Sequence, residues 1–168
     1  MPKIIENLES RLMAEARRQI ETIGYAATTI RSVAAGCNVG VGTVYNYFSS
    51  KDDLAAAYLL EDWNNCIDII RAASTQTEDP KPVVQCIYQQ LRLFVQRHKA
   101  VFQDKEAAAS FTGSFSRYHG LLRSQLASPL ESFCSSRFSA NFIAEALLTW
   151  TRAGTEFEDL YSMVGKLF

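Results

Sequence analysis

Strong net charge is missing from this sequence of 168 residues, in which 17 lysines and arginines stand against 18 aspartates and glutamates. The formal net charge of −1 gives no support to a chain that binds a polyanion over its whole surface. Any site for such a partner must therefore be local. Hydrophobic residues make up 48% of the sequence, which gives no indication of disorder and is enough for a sizeable core.

Long apolar runs are missing as well. No segment is long and apolar enough to suggest a membrane span. The first residues, MPKIIENLESRLMAEARRQ, are interrupted by charge every few positions, unlike a secretory signal. We therefore expect a cytoplasmic protein that does not enter a membrane.

Cysteine and histidine are few and scattered. None of them forms a C-x-x-C pair or a spacing typical of metal ligands; they are Cys37, Cys66, Cys86, Cys134, His98 and His119. In a reducing cytosol, four buried thiols are favoured over a redox switch. No nucleophile and base stand in a catalytic pattern either. The sequence thus predicts no metal, no cofactor and no enzymatic activity.

Helical periodicity is present almost everywhere, and the alternation typical of strands is almost absent. Apolar residues recur every three or four positions from Ile5 to Ile23, and Gly24 ends this first helix. Thr28 and Thr29 offer hydroxyl groups to cap a second, short helix. Asn38 tolerates the left-handed conformation that would end it. The sequence predicts an all-α fold of about nine helices.

The later helices are separated by polar segments and glycine. The segment STQTEDPKP, residues 74–82, is the clearest linker, and a helix follows from Val84. A shorter helix is expected over residues 99–110, with a break at FTGSF, residues 111–115, and another helix running towards Pro129. The last two helices are expected over residues 140–153 and 155–167, separated at Gly154.

The stretch NVGVGTVYNYF, residues 38–48, resembles part of a loop that binds nucleotide phosphates. A dinucleotide-binding fingerprint, however, requires a third glycine where Tyr45 stands, and a strand before it, where this chain has a helix. The alternative is a helix-turn-helix, which requires two short crossed helices with apolar inner faces. Ile30 and Val33 supply one such face, and Val44 and Phe48 supply the other. The helix-turn-helix is the favoured interpretation.

Residues 24–54, GYAATTIRSVAAGCNVGVGTVYNYFSSKDDL, resemble the N-terminal domain of the TetR family of transcriptional repressors. The resemblance lies in an ordered set: Gly24-Tyr25, Thr28-Thr29-Ile30, Val33-Ala34, Val39, Gly42-Thr43-Val44-Tyr45, Tyr47-Phe48, Ser50-Lys51 and Leu54. It implies a three-helix DNA-binding domain over residues 1–50. It also implies a helical domain for effector binding and dimerisation over residues 51–168.

The resemblance implies nine residues that contact DNA: Thr29, Gly40, Val41, Gly42, Thr43, Tyr45, Asn46, Tyr47 and Lys51. Backbone amides at the start of the recognition helix would face the DNA. Tyr45 and Asn46 would reach base edges or thymine methyl groups, and the hydroxyl groups of Thr43 and Tyr47 would contact phosphates. Thr29 and Lys51 would hold phosphates on either side. The alternatives are that the tyrosines are half-buried core residues and that Lys51 only begins a solvated helix.

The sequence departs from the family pattern at three positions. Asn38 stands where many members have glycine, Gly40 where they have serine or threonine, and Val41 where they have a basic or polar residue. Residues 1–51 hold six basic side chains against four acidic ones, a local net charge of +2. Affinity for DNA of arbitrary sequence is therefore expected to be modest.

The second domain is rich in aromatic residues, which are usually core at helical spacing. Because this region encloses an effector cavity in the family, six of them are expected to line one: Trp63, Tyr88, Phe94, Phe102, Phe115 and Tyr118. Such a pocket suits a lipophilic or aromatic molecule. The stretch FSANFIAEALLTW, residues 138–150, is more apolar than a surface helix requires, and small Ala140 and Ala144 would allow close approach of another helix. A homodimer through the last two helices is expected.

Together these features predict a ligand-responsive DNA-binding regulator, a repressor that a small molecule releases from a palindromic operator. The alternative is a helical dimeric interaction protein that keeps a vestigial helix-turn-helix.

Overall fold

The structure is a computed structural model that describes residues 7–168, except for the side chains of residue 108 and residues 110–118. Over this range the chain forms nine α-helices and two short 3-10 helices, with no strand, so the all-α prediction is confirmed. The α-helices are α1 (Leu8–Ile23), α2 (Ile30–Gly36), α3 (Val41–Tyr45), α4 (Lys51–Ser74), α5 (Pro80–Arg97), α6 (Lys99–Phe102), α7 (Lys105–Ala127), α8 (Arg137–Arg152) and α9 (Phe157–Val164). Among these residues, none of the helices could cross a membrane.

The ends of the first two helices follow from local chemistry. Gly24 has φ +89° and its amide donates to the Ile20 carbonyl at 3.0 Å, which closes α1. The Thr29 hydroxyl accepts from the Ser32 amide at 3.0 Å, and the Ser32 hydroxyl accepts from the Thr29 amide, a reciprocal cap for α2. Asn38 has φ +55°, as its position in the sequence predicted. The expected stripe on α1 begins at Ile5, which lies outside the described residues.

The linker is shorter than the sequence suggested. Helix α5 begins at Pro80 and not at Val84, because proline is tolerated in a first helical turn, where its missing N–H would have no partner. The Asp79 carboxylate caps this turn by accepting from the Lys81 amide at 2.9 Å. Residues 75–79 alone separate α4 from α5.

The expected helix over residues 99–110 and the break at FTGSF are wrong. The interruption lies at Gln103 and Asp104, where the Asp104 carboxylate accepts from the amides of Glu106 and Ala107 at 2.9 and 3.0 Å. Helix α7 then continues through FTGSF to Ala127. One glycine in a helix interior costs only about 1 kcal/mol, which a helix of this length tolerates.

The chain divides into two compact units. The first contains residues up to Glu61 and residues 98–113, and the second contains residues 62–97 and 114–168. The division therefore falls inside α4 and inside α7. The functional boundary expected after residue 50 stays a prediction.

The first unit has a core formed by α1, α2, α3 and the start of α4, to which Val101 and Ala107 also belong. A polar network joins α1 to α2 beside this core. The Gln19 amide group donates to the Glu15 carboxylate at 2.7 Å and to the Ser32 carbonyl at 3.0 Å. The bond to Ser32 ties α2 to α1 just ahead of the turn, and the bond to Glu15, within α1, holds the Gln19 side chain in place.

The second unit has its own core, in which α5 packs against α8 and α9. Ala140 and Ala144 are fully buried there. They therefore pack within their own chain, and the expectation that they let a second helix approach is wrong. The buried face of α8 is Ala140, Ile143, Ala144, Leu147 and Thr151.

Candidate nucleic-acid interface

The third helix is a short element that is anchored from one side only. Val44 is its one buried residue, with no exposed surface, and Phe48 just beyond it is also buried. Tyr45 is 53% exposed and Tyr47 is 44% exposed. Because a helix this short has little stability of its own, the apolar contacts of Val44 and Phe48 hold it in place. The tyrosines are thus left facing outward.

The turn before α3 has the geometry of a helix-turn-helix. The Val39 amide donates to the Ala34 carbonyl at 3.0 Å, and Asn38 supplies the left-handed step between the two helices. Ala34 is buried where α2 and α3 pack together. The small residue predicted for a close crossing is therefore buried in the core of the first unit.

The two glycines at the start of α3 leave open space. A Cβ at Gly42 would meet no atom within 4 Å, and one at Gly40 would meet only the Thr43 hydroxyl at 3.8 Å. Neither glycine has a positive φ. The fold of this unit therefore does not itself require glycine at these two positions. Glycine would be required if another backbone approached the amides closely.

A surface groove lies beside the exposed side of α3. Its lining is Thr28, Thr29, Ile30, Arg31, Val41, Tyr45, Ser49, Ser50 and Lys51. Of the residues predicted to contact DNA, the groove brings together Thr29, Val41, Tyr45 and Lys51. Asn46 and Tyr47 are exposed outside this lining, and Thr43 is half-buried.

Sequence reasoning missed Arg31, Ser49 and Ser50 as lining residues of this groove. Arg31 is exposed in the first turn of α2, two positions after Thr29, which is the signal that could have identified it. Ser50 also caps α4, because its hydroxyl accepts from the Asp53 amide at 3.0 Å. The Thr29 hydroxyl is bonded within the cap of α2, which leaves it less free for a phosphate than the sequence suggested.

Lys51 is held at the edge of the groove and is not a freely solvated side chain. Its ammonium group donates to the Tyr25 carbonyl at 3.0 Å and lies 4.1 Å from the centroid of the Tyr25 ring. The Tyr25 hydroxyl donates to the Asp52 carboxylate. Burial and this hydrogen bond raise the pKa of the Tyr25 hydroxyl, so it remains protonated and able to donate. The carbonyl and the ring of Tyr25 thus orient the ammonium group of Lys51.

Several other cations of the first unit are paired with groups of the same unit. Arg18 forms an ion pair with Glu15 at 2.6 Å, and Arg17 approaches Glu61 at 3.6 Å. Arg11 donates to the Cys37 carbonyl at 3.1 Å. The two ion pairs, though not the bond of Arg11 to a neutral carbonyl, offset positive charge in the first unit.

Three of the aromatic residues expected around an effector, Trp63, Tyr88 and Phe94, belong to the core of the second unit. Trp63 and Phe94 form an edge-to-face pair with centroids 5.5 Å apart, and the Trp63 ring N–H donates to the Gln125 side chain at 2.7 Å. Tyr88 lies in the same core, and its hydroxyl donates to the Thr155 carbonyl at 2.9 Å. Phe102 belongs to the first unit.

The side chains of Phe115 and Tyr118 lie outside the described residues. The ligand role of all six aromatic residues stays a prediction.

No group of three or more histidine, cysteine, aspartate or glutamate residues that could hold a metal occurs in the described part of the chain. The four cysteines are free thiols. Burial raises the pKa of each of them, most directly for Cys86 and Cys134, where it is the one cause at work.

Comparison with known proteins identifies the domain that carries this interface. Residues 12–58 match the family described as bacterial regulatory proteins, tetR family. HTH-type transcriptional regulator HbdR of Aromatoleum sp. (strain CIB) is 34% identical over 53 residues, which cover 32% of this chain and only 23% of that protein. Residues 12–58 therefore form a domain similar to the N-terminal domain of the TetR family.

The TetR fold extends beyond the matched domain. TetR family repressor AlkX from Dietzia sp. strain DQ12-45-1b is 17% identical with a TM-score of 0.66, over 94% of this chain and 97% of that one. A TetR-family regulator, ECA1819, from Pectobacterium atrosepticum is 18% identical with a TM-score of 0.66, over 96% of this chain and 88% of that one. At such identities the likeness shows the fold alone.

Proposed function

We propose that this chain is a TetR-family transcriptional regulator, a cytoplasmic repressor that binds a palindromic operator as a homodimer and leaves it when a small lipophilic molecule binds. The observation that carries the proposal is the two-sided α3. Val44 and Phe48 anchor the segment from within, while Tyr45 and Tyr47 project outward beside a groove that contains Lys51. A helix presented in this way is suited to entering a major groove.

Each predicted contact has a role in this proposal. Tyr45 and Asn46 read base edges, and the methyl groups of Val41 contact a thymine methyl. Thr43 and Tyr47 hold phosphates, as do Thr29 and Lys51 on either side of the groove. The amides that Gly40 and Gly42 leave accessible approach the backbone of the DNA. To this set we add Arg31, which lines the same groove.

Binding to DNA is tested by selecting a duplex from a random library and measuring affinity for it by fluorescence anisotropy. Tyr45→Ala should weaken binding to the selected duplex and leave binding to a mixed-sequence duplex nearly unchanged. Lys51→Gln should weaken binding to both duplexes alike. It should also reduce the slope of log affinity against log salt by about one. If no duplex is selected, the vestigial helix-turn-helix is the better interpretation. If Tyr45→Ala binds the selected duplex as tightly as wild type, α3 is not the reading helix.

The proposed dimer uses the outward side of α8. Phe138 is 78% exposed, and Phe142 and Trp150 are each 54% exposed. The rings of Phe138 and Phe142 lie 6.4 Å apart, so they form a neighbouring pair of uncovered aromatic residues. A second copy related by a two-fold axis would cover them, and the same axis would match two operator half-sites.

Sedimentation at micromolar concentration tests the dimer. Wild type should sediment as a dimer, and Phe142→Glu should shift it to a monomer. Leu93→Glu is the matched control, because Leu93 is exposed to a similar degree, at 53%, but lies on α5. A monomeric wild type, or equal effects of the two substitutions, would contradict the proposed interface.

The proposed effector is lipophilic or aromatic because the core of the second unit consists of apolar and aromatic side chains, among them Trp63, Tyr88 and Phe94. AlkX, which shares the fold, is described as implicated in biodegradation of n-alkanes. A ligand can release DNA only to the extent that it prefers one conformation of the protein over the other. A thermal-shift screen should find stabilising compounds in a hydrophobic set, and these compounds should also release the selected duplex. Stabilisation by phosphorylated or cationic compounds alone would contradict this.

A further inference from the structure

Glu106 lies beside the ammonium group of Lys51, although the two residues are far apart in the sequence. Its carboxylate is 3.8 Å from the Lys51 Nζ atom, and both residues belong to the first unit. Glu106 stands in the first turn of α7, where its amide donates to the Asp104 carboxylate. That cap fixes the backbone from which the Glu106 side chain extends.

Lys51 does not need Glu106 to keep its orientation. The Tyr25 carbonyl accepts one of the three ammonium N–H bonds, and the Tyr25 ring lies under the charge. Because these contacts remain when Glu106 is changed, removing its charge would free the ammonium group without releasing the side chain. The Lys51 side chain is 23% exposed and the Glu106 side chain is 70% exposed. The pair is therefore open to an incoming anion.

We propose that Glu106 weakens binding to DNA by competing with a phosphate for the ammonium group of Lys51. The proposal rests on the phosphate-binding role proposed above for Lys51. Lys51 lines the groove beside α3, so a phosphate that enters there meets a cation whose charge Glu106 already balances in part. Glu106 thus acts through Lys51 and holds the affinity of the groove below what its cations alone would give.

The expected size of this effect is small but measurable. Ion pairs between exposed groups change an equilibrium by up to about fivefold. Glu106→Gln should therefore tighten binding about two- to fivefold at low salt, and the gain should shrink as salt rises. Because Lys51 would then neutralise a phosphate more completely, the slope of log affinity against log salt should become steeper by up to about one.

The experiment measures affinity for a mixed-sequence duplex by fluorescence anisotropy at several salt concentrations. Four proteins are compared with wild type: Glu106→Gln, Glu78→Gln, Lys51→Gln and the double variant Lys51→Gln/Glu106→Gln. Glu78 is the matched control, because it is exposed in the loop before α5 and its substitution changes the net charge equally. Glu106→Gln should tighten binding more than Glu78→Gln does. In the Lys51→Gln background the Glu106 substitution should have no effect.

Three results would overturn the inference. One is unchanged or weaker binding by Glu106→Gln, and another is an equal gain in Glu78→Gln. The third is the same gain in the Lys51→Gln background, which would mean that the carboxylate repels DNA directly and does not act through Lys51. If wild type binds no duplex in a salt-dependent way, the proposed DNA-binding function itself fails and this inference fails with it. Thermal unfolding of each variant checks that the fold is kept, and Glu106→Asp, which withdraws the charge by one methylene, should give an intermediate gain.

Discussion

The same substitution at two positions of α3 should separate stability from DNA binding. Val44 has no exposed surface, whereas Val41, one turn earlier on the same helix, is 36% exposed and lines the groove. Val44→Ala removes two carbon atoms from the core of the first unit. Val41→Ala removes the same two atoms from the surface. The pair is therefore matched in chemistry and in helix, and differs in the side that it faces.

The cost of Val44→Ala can be worked from burial. Two buried carbon groups contribute about 1.6 kcal/mol at about 0.8 kcal/mol each. The cavity left behind adds about 1 kcal/mol, since the neighbours relax only in part. The higher helix propensity of alanine offsets about 0.5 kcal/mol. The free energy of unfolding should therefore fall by about 2 kcal/mol in Val44→Ala, against a change within about 0.5 kcal/mol in Val41→Ala.

Urea unfolding followed by circular dichroism measures the free energy of unfolding. The protein concentration is kept fixed, because dimerisation would shift the midpoint. Affinity for the selected duplex measures the contribution of Val41 to DNA binding. Val41→Ala should weaken it about four- to fifteenfold, the equivalent of one or two methyl contacts of about 0.8 kcal/mol each. Equal destabilisation by the two substitutions would refute the orientation of α3. A Val41→Ala protein that binds the duplex as wild type does would refute the contact.

Three further outcomes follow from the structure. Hydrogen bonds from Arg18 and Gln19 lower the pKa of Glu15 from 4.5 to about 2. Its stabilising contribution is therefore complete above pH 4.5 and is lost as the pH falls towards 2, and acid titration of unfolding should be shallower in Glu15→Gln. Tyr88→Phe loses the bond to the Thr155 carbonyl and should lower the free energy of unfolding by about 1 kcal/mol in urea titrations. Because burial raises the pKa of all four thiols, they should react with a disulfide reagent at pH 7 much more slowly in the native protein than in urea.

The sequence by itself determined the ends of the first two helices and which side of α3 is buried. Apolar spacing, Gly24, the threonine cap and Asn38 act within a few residues of where they stand, so the ends of α1 and α2 could be predicted from local chemistry. The buried Val44 and the exposed Tyr45 follow from helical spacing in the same way. The match over residues 12–58 lies in the segment where these local signals are densest.

Local signals failed to predict helix ends where a glycine or a proline, both unfavourable in helices, stands in a segment that otherwise favours a helix. A glycine within FTGSF suggested a break, yet α7 runs through it, and the interruption came at Asp104, whose carboxylate caps the next helix. Pro80 suggested a linker, yet it begins α5. In both cases a small local cost was smaller than the stabilisation available from a longer packed helix.

Only the tertiary structure decided which side chains meet across the chain. Ala140 and Ala144 looked available to a second copy, but both are fully buried in the core of their own unit. The Lys51 ammonium group looked free, but the fold sets it against Tyr25 and Glu106. Such pairings depend on the packing of helices that are distant in sequence. Spacing along one helix shows which face is apolar, and the rest of the chain determines what covers it.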